Sequence, residues 1–286
     1  MARIETAAGA KPWAGTIYNP ATALDFFKAA GRPQKVPAGA VFFSENERAR
    51  SLLFRRDDMY LVLEGEVQLV AGRKPIATIR KGEVFGEMAS IAHLPRSASA
   101  VAKTACRVIA LDDRQFRAGL QKKPGFALML MSSMITRLRG TLAQLASAEA
   151  IGESAAIKES AVFDPKRLAE LAEGLSRDEP VFYERGATIV KEGQQGLRMY
   201  AVMEGRVAAS IRGSVVERLG PGGVFGELAL VEPSPRLATV VAETDCTLLP
   251  VSRTGFQLIV KTSPEFAESL LEALARRLRR LTSRLK

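Results

Sequence analysis

A chain of 286 residues with 47% hydrophobic and 25% charged side chains can bury a core, and its length suits about two domains, which argues against a disordered chain, a collagen-like fibre and a bare coiled coil. Its formal net charge of +10 suits an anionic ligand, nucleic acid or lipid without choosing among them. With 2 cysteines and 1 histidine, it has almost nothing from which to build a zinc centre, a disulfide framework or a Cys-His catalytic pair.

The N-terminal stretch Met1 to Glu5 lacks the apolar centre of a signal peptide, and no run approaches membrane-spanning length, so a cytoplasmic protein without membrane contact is expected. Asn19-Pro20 joins a capping side chain to a proline suited to the first helical position, and Gly31 marks the stop. This predicts a helix within an N-terminal segment, residues 1–35. From residue 36 the pattern turns to short strands. Leu61, Leu63, Val67 and Leu69 form an apolar run broken by Glu64-Gly65, two strands meeting at a Gly turn. Ile76 to Ile79, Ala98 to Ala102 and Val108 to Leu111 continue in the manner of a small β-barrel or roll. Leu128, Met131, Ile135, Leu138, Leu142 and Leu145 then step along a helix as a heptad seam, closing a first unit at residue 145. Residues 146–163 are small and mildly acidic and predict a partly helical connector.

The second unit, residues 164–286, repeats the first at an offset of 140. Met59-Tyr60-Leu61-Val62-Leu63-Glu64-Gly65 recurs as Met199-Tyr200-Ala201-Val202-Met203-Glu204-Gly205, and Cys106 and Phe116 match Cys246 and Phe256. Asp164-Pro165 and Gly174 restate the helix signals, and Leu271, Leu274, Leu278, Leu281 and Leu285 restate the seam. Upstream the register slips, so copy one carries extra residues around Ser44 to Arg50. The seams either pack on their own barrels or pair helix on helix, within one chain or across a homodimer. Because Cys106 and Cys246 occupy matching positions, each is expected buried in its own barrel rather than in a disulfide. His93 reads as a solvated loop residue. Arg276, Arg277, Arg279, Arg280, Arg284 and Lys286 read as a solvated face beside the Leu seam.

One composite recurs with its spacing intact. Phe85-Gly86-Glu87-Met88-Ala89 is followed by Pro95-Arg96-Ser97, and Phe225-Gly226-Glu227-Leu228-Ala229 by Pro235-Arg236-Leu237. It resembles the phosphate-binding cassette of cyclic nucleotide-binding domains, as in the bacterial catabolite activator and the regulatory subunits of protein kinase A. The resemblance covers Val36 to Leu145 and Tyr183 to Leu285. It implies a mainly β fold with flanking helices: two tandem double-stranded β-helix (jelly-roll) barrels, each followed by a long C-terminal helix. It also implies a non-enzymatic receptor for a cyclic nucleotide, cAMP favoured over cGMP and with no metal, whose helices rearrange on ligand binding to regulate an unidentified effector protein.

The residue chemistry agrees with that expectation. A cyclic phosphate carries one negative charge, which the guanidinium of Arg96 or Arg236 can match through a charge-assisted pair. Ionised Glu87 and Glu227 are acceptors suited to a ribose 2′-hydroxyl, and Gly86 and Gly226 allow close approach of backbone to ligand. The alternative at each cassette is a Glu–Arg ion pair on an empty barrel. The resemblance also places Thr141 and Thr282, on the helices after the barrels, near the purine. Copy two departs at Leu237, where copy one has Ser97, and a lost hydroxyl bond is worth roughly 1 kcal/mol. A DNA-binding regulator of the catabolite activator kind carries a helix-turn-helix after its long helix, and none is read here, so nucleic acid is not an expected partner. A degenerate or cyclic-dinucleotide-binding scaffold is the competing expectation.

Overall fold

The computed structural model describes residues 19–47, 58–147, 159–164, 166, 168–169, 173, 179–231 and 235–283. Helix α1 (Pro20–Ala30) starts where the sequence predicts: Asn19 Oδ1 accepts from the amides of Ala21 and Thr22, satisfying donors that a helix start leaves open. Strands β1 (Arg32–Val36), β2 (Val41–Phe43), β3 (Met59–Glu64), β4 (Val67–Ala71), β5 (Lys74–Ile79), β6 (Val84–Phe85), β7 (Ser99–Ala102) and β8 (Cys106–Leu111) follow. They form two antiparallel sheets ordered β1-β8-β3-β6 and β2-β7-β4-β5. Helix α2 (Glu87–Ala92) lies between β6 and β7, and α3 (Asp113–Lys122) and α4 (Gly125–Ser147) follow β8.

Strands β3 and β4 do meet at Gly65, but they do not pair with each other. β3 bonds to β6 and β8, whereas β4 bonds to β5 and β7, so the turn is a corner at which the chain passes from one sheet to the other. Gly65 has φ +88°, and a Cβ there would lie 2.4 Å from the Ala105 carbonyl, so only glycine makes this corner.

Copy two repeats the plan with β10 (Val181–Tyr183), β11 (Thr188–Val190), β12 (Arg198–Glu204), β13 (Val207–Ile211), β14 (Ser214–Leu219), β15 (Val224–Phe225), β16 (Thr239–Ala242) and β17 (Cys246–Ser252). Its sheets are ordered β10-β17-β12-β15 and β11-β16-β13-β14, the latter extended by β9 (Glu159–Ser160), which lies parallel to β14. Helices α5 (Leu228–Val231), α6 (Arg253–Thr262) and α7 (Pro264–Thr282) complete it. The fold is the expected one, two tandem jelly-roll barrels with flanking helices.

Each barrel has its own core, built around Val62, Phe85 and Val108 in one and Val202, Phe225 and Leu248 in the other. Cys106 and Cys246 are buried and free, each thiol facing a main-chain carbonyl of its own barrel. A third core belongs to both copies at once, joining α1, α3 and α4 to α6 and α7. Phe26 of α1 stacks on Phe126 of α4 with ring centroids 3.7 Å apart. Leu128, Met131, Ile135 and Leu138 of one seam and Leu271, Leu274 and Leu278 of the other are buried, and α4 packs along α7. Burial of each such side chain contributes about 1.5–3 kcal/mol, so the seams pair helix on helix within one chain. Gly174, Arg284, Leu285, Lys286 and most of the copy-one insertion lie outside the described residues. No described helix is long and apolar enough to cross a membrane.

Candidate functional site

In copy one, β6 delivers the chain to the cassette. Phe85 is buried and stacks on Tyr60, with centroids 5.0 Å apart. Gly86 then turns the chain at φ +78°, where a Cβ would come within 3.1 Å of both Arg96 Nη1 and the Asp58 carbonyl. Glycine is thus needed twice, for its left-handed backbone and for the space a guanidinium occupies. Arg96 Nη1 donates to the Gly86 carbonyl at 2.8 Å and Nη2 to the Asp58 carbonyl at 3.0 Å. The guanidinium also lies 4.1 Å from the centre of the Phe43 ring, a cation–π contact.

Copy two repeats the arrangement. Arg236 Nη1 donates to the Gly226 carbonyl at 2.9 Å and Nη2 to the Arg198 carbonyl at 2.5 Å. Gly196 packs against this guanidinium, and a Cβ there would lie 2.0 Å from Arg236 Nε. Arg236 is buried and its side chain bonds to carbonyls rather than to a carboxylate. Burial therefore lowers its pKa, with Tyr200 and Glu227 acting in the opposite sense. A buried cation held this way gains most from an arriving anion.

The cassette glutamates are also buried, but they do not pair with the cassette arginines. Glu87, the first residue of α2, accepts from Arg137 Nη1 at 2.5 Å, and Arg137 Nη2 donates to the Val84 carbonyl at 2.8 Å. In copy two Glu227 is bonded by Arg277 Nη1, whose Nη2 donates to the Val224 carbonyl. Each glutamate therefore tethers its cassette to the helix that follows its barrel. Arg277 has a second carboxylate, Glu217 Oε2 of β14 at 2.9 Å from its Nε, and Arg280 Nη2 lies 3.1 Å from Glu217 Oε1. Burial alone would lower the Arg277 pKa, but Glu217 and Glu227 outweigh it and raise it.

A cavity of about 350 Å³ opens beside the second cassette, within the range of small-ligand pockets. Of the copy-two residues that the sequence reading singles out, Gly226, Glu227, Leu228, Arg236 and Leu237 line it. Its wall also includes Phe225 of the motif, then Ile211, Val216, Glu217, Arg280 and Leu281, none of which the motif singles out, and Leu138 from copy one's α4. Elsewhere in the cassettes, Ala89 is buried, Ser97 is half-buried, and Met88 packs on the shared helical core. Ala229 falls within α5. Thr141 is half-buried on α4, and the Thr282 hydroxyl donates to the Leu278 carbonyl at 2.8 Å. By the offset of 140, Thr141 corresponds to Leu281 and Thr282 to Leu142, so the two threonines are not equivalent positions. The basic residues of α7 are largely engaged inside the molecule, Arg276 with Glu272, Arg277 and Arg280 with Glu217, and Arg279 with the Pro95 carbonyl.

A family model described as "Cyclic nucleotide-binding domain" matches residues 33–123 and 180–263, together more than half of the chain. The cAMP-dependent protein kinase regulatory subunit of Eremothecium gossypii is 30% identical over 205 residues, 71% of this chain and 40% of that protein. The CRP-like cAMP-activated global transcriptional regulator of Mycobacterium tuberculosis is 33% identical over 127 residues, 43% of this chain and 55% of that protein. The chain thus spans about half the length, or less, of these curated relatives. Among solved structures, the regulatory domain of Toxoplasma gondii PKA with cAMP covers 89% of this chain and 89% of its own, with 21% identity and a TM-score of 0.32.

Proposed function

Since the chain belongs to the cyclic nucleotide-binding domain family, we propose that it is a non-enzymatic receptor that binds cAMP in preference to cGMP at both cassettes and regulates an effector protein through its helices. The observation that carries this reading is the buried Arg236 guanidinium, held on two carbonyls at the wall of a cavity that Glu227 also lines. A cyclic phosphate supplies the missing anion, and the ribose 2′-hydroxyl donates to the glutamate. The preference for cAMP is supported by two curated relatives named for that nucleotide. Thr141 and Thr282 are the proposed purine contacts, the Thr282 oxygen keeping acceptor capacity for an exocyclic amine while its proton goes to Leu278.

The same glutamates hold Arg137 and Arg277, so ligand and helix meet at one carboxylate. A ligand that alters this hold favours one helix arrangement over another, which is the differential binding that any switch requires. The test is Arg96→Ala, titrated with cAMP by calorimetry. The expected result is loss of measurable binding at copy one with a normal melting curve. Unchanged stoichiometry and affinity in the folded variant would overturn the assignment.

A further inference from the structure

Strands β1 and β10 hold the same place in the two barrels, each at the edge of its sheet and bonded, among the described residues, to one neighbour, β1 to β8 and β10 to β17. Val36 stands opposite Cys106 and Tyr183 opposite Cys246, so the matched cysteines fix the correspondence: Arg32 with Glu179, Gln34 with Val181 and Lys35 with Phe182. An edge strand offers backbone N–H and C=O groups to a further strand, and proteins blunt such edges with charge and proline. Copy one does so, since β1 carries Arg32, Pro33 and Lys35, and Lys35 stands opposite Arg107. Copy two keeps only the proline, Pro180, and presents Phe182 60% exposed and Val181 39% exposed where copy one has lysine and glutamine. Opposite Phe182 is Thr247 in place of Arg107. In the second sheet of the same barrel, by contrast, β9 lies along β14 and covers it.

The β10 edge is complementary to itself. In Glu179-Pro180-Val181-Phe182-Tyr183-Glu184-Arg185 an acid lies three positions before Phe182 and a base three positions after it. When two such strands run antiparallel about a two-fold axis through Phe182, the two rings lie opposite each other, and Glu179 of each strand meets the end that carries Arg185 of the other. The same register sets Val181 against Tyr183 and Pro180 against Glu184, so no like charges meet. Glu179 and Arg185 are exposed, and neither side chain has an ion-pair partner among the described residues. The equivalent arrangement of β1 would set Lys35 against itself. The heptad seams, the other features suited to joining two copies, are buried against each other within one chain.

We propose that the β10 edge is a homodimer surface, at which two copies of this chain join through antiparallel β10 strands with the Phe182 rings opposed on the two-fold axis and Glu179 facing Arg185 at both ends. The contact joins the two β10-β17-β12-β15 sheets into one. It goes beyond the reading of the cassettes and does not depend on it.

The experiment is sedimentation velocity of the intact chain across a wide concentration range. The expected result is a concentration-dependent shift from the mass of one chain to that of two. Phe182→Lys, which gives copy two the residue of copy one, holds the chain at single mass with an unchanged melting curve. Glu179→Arg and Arg185→Glu each weaken self-association by about tenfold, because each change strikes both ends of the contact at once. An equal mixture of these two variants dimerises like the original chain, since every end then joins an acid to a base again, a recovery that a general disturbance of the strand would not produce. A chain that stays at single mass at every concentration overturns the proposal. A dimer that survives Phe182→Lys, or a mixture that associates no better than its separate variants, places the contact elsewhere and overturns it as well.

Discussion

Both copies seat their cassette arginine on a pair of main-chain carbonyls, but they tether the following helix differently. In copy one a single carboxylate, Glu87, meets an Arg137 side chain that is 31% exposed. In copy two Arg277 is 12% exposed and lies between Glu227 and Glu217. The position equivalent to Glu217 is Ala77, so copy one has no residue from which to build the second contact. Copy one instead places the Phe43 ring under Arg96, where copy two has Val190. The same Gly-Glu and Arg pattern thus supports two clamps. The helix of copy two is anchored in a network of Arg277, Arg280, Glu217 and Glu227, and that of copy one is held by one pair whose glutamate is buried and whose arginine is partly exposed.

The largest expected effect breaks this comparison at its arginines. Arg277→Ala leaves Glu227 buried without its arginine, while Glu217 keeps Arg280, and is expected to cost about 3–5 kcal/mol of stability, whereas Arg137→Ala, which removes a more exposed guanidinium, costs about 1–2 kcal/mol. Chemical denaturation of the two variants measures both, and equal losses would show that the second carboxylate adds nothing. A smaller effect sharpens the comparison at the ligand. Leu237→Ser gives copy two the hydroxyl that copy one has at Ser97 and is expected to tighten the second site about fivefold, roughly 1 kcal/mol. Titration of this variant with the first site silenced by Arg96→Ala reads that change directly. A weaker site would show instead that Leu237, which lines the cavity, contributes by apolar contact.

Most of the fold was legible because its punctuation is local. Asn19 bounds α1 through its capping side chain and Gly31 through its lack of one, since a Cβ there would lie 2.4 Å from Ile109, and Gly65 and Gly86 stand where positive φ leaves glycine as the choice. The cassettes were legible because they recur at a fixed offset. What could not be read depends on distant elements folding back. Glu87 and Arg137 are 50 residues apart, as are Glu227 and Arg277, and their pairing exists only once each helix lies against its barrel. Recurrence of both arginines at the offset of 140 was the available signal, and it marked position rather than partner. Nothing in a heptad seam distinguishes a partner helix in the same chain from one in a second copy, so the pairing of α4 with α7 and the reach of Leu138 and Arg279 into the opposite copy appear only in three dimensions.

The central claim, that both cassettes take a cyclic nucleotide despite their different clamps, is tested most directly by isothermal titration of the intact chain with cAMP and then cGMP, read for stoichiometry. The account predicts two cAMP per chain, bound more tightly than cGMP. No heat and no thermal shift with either nucleotide would contradict it.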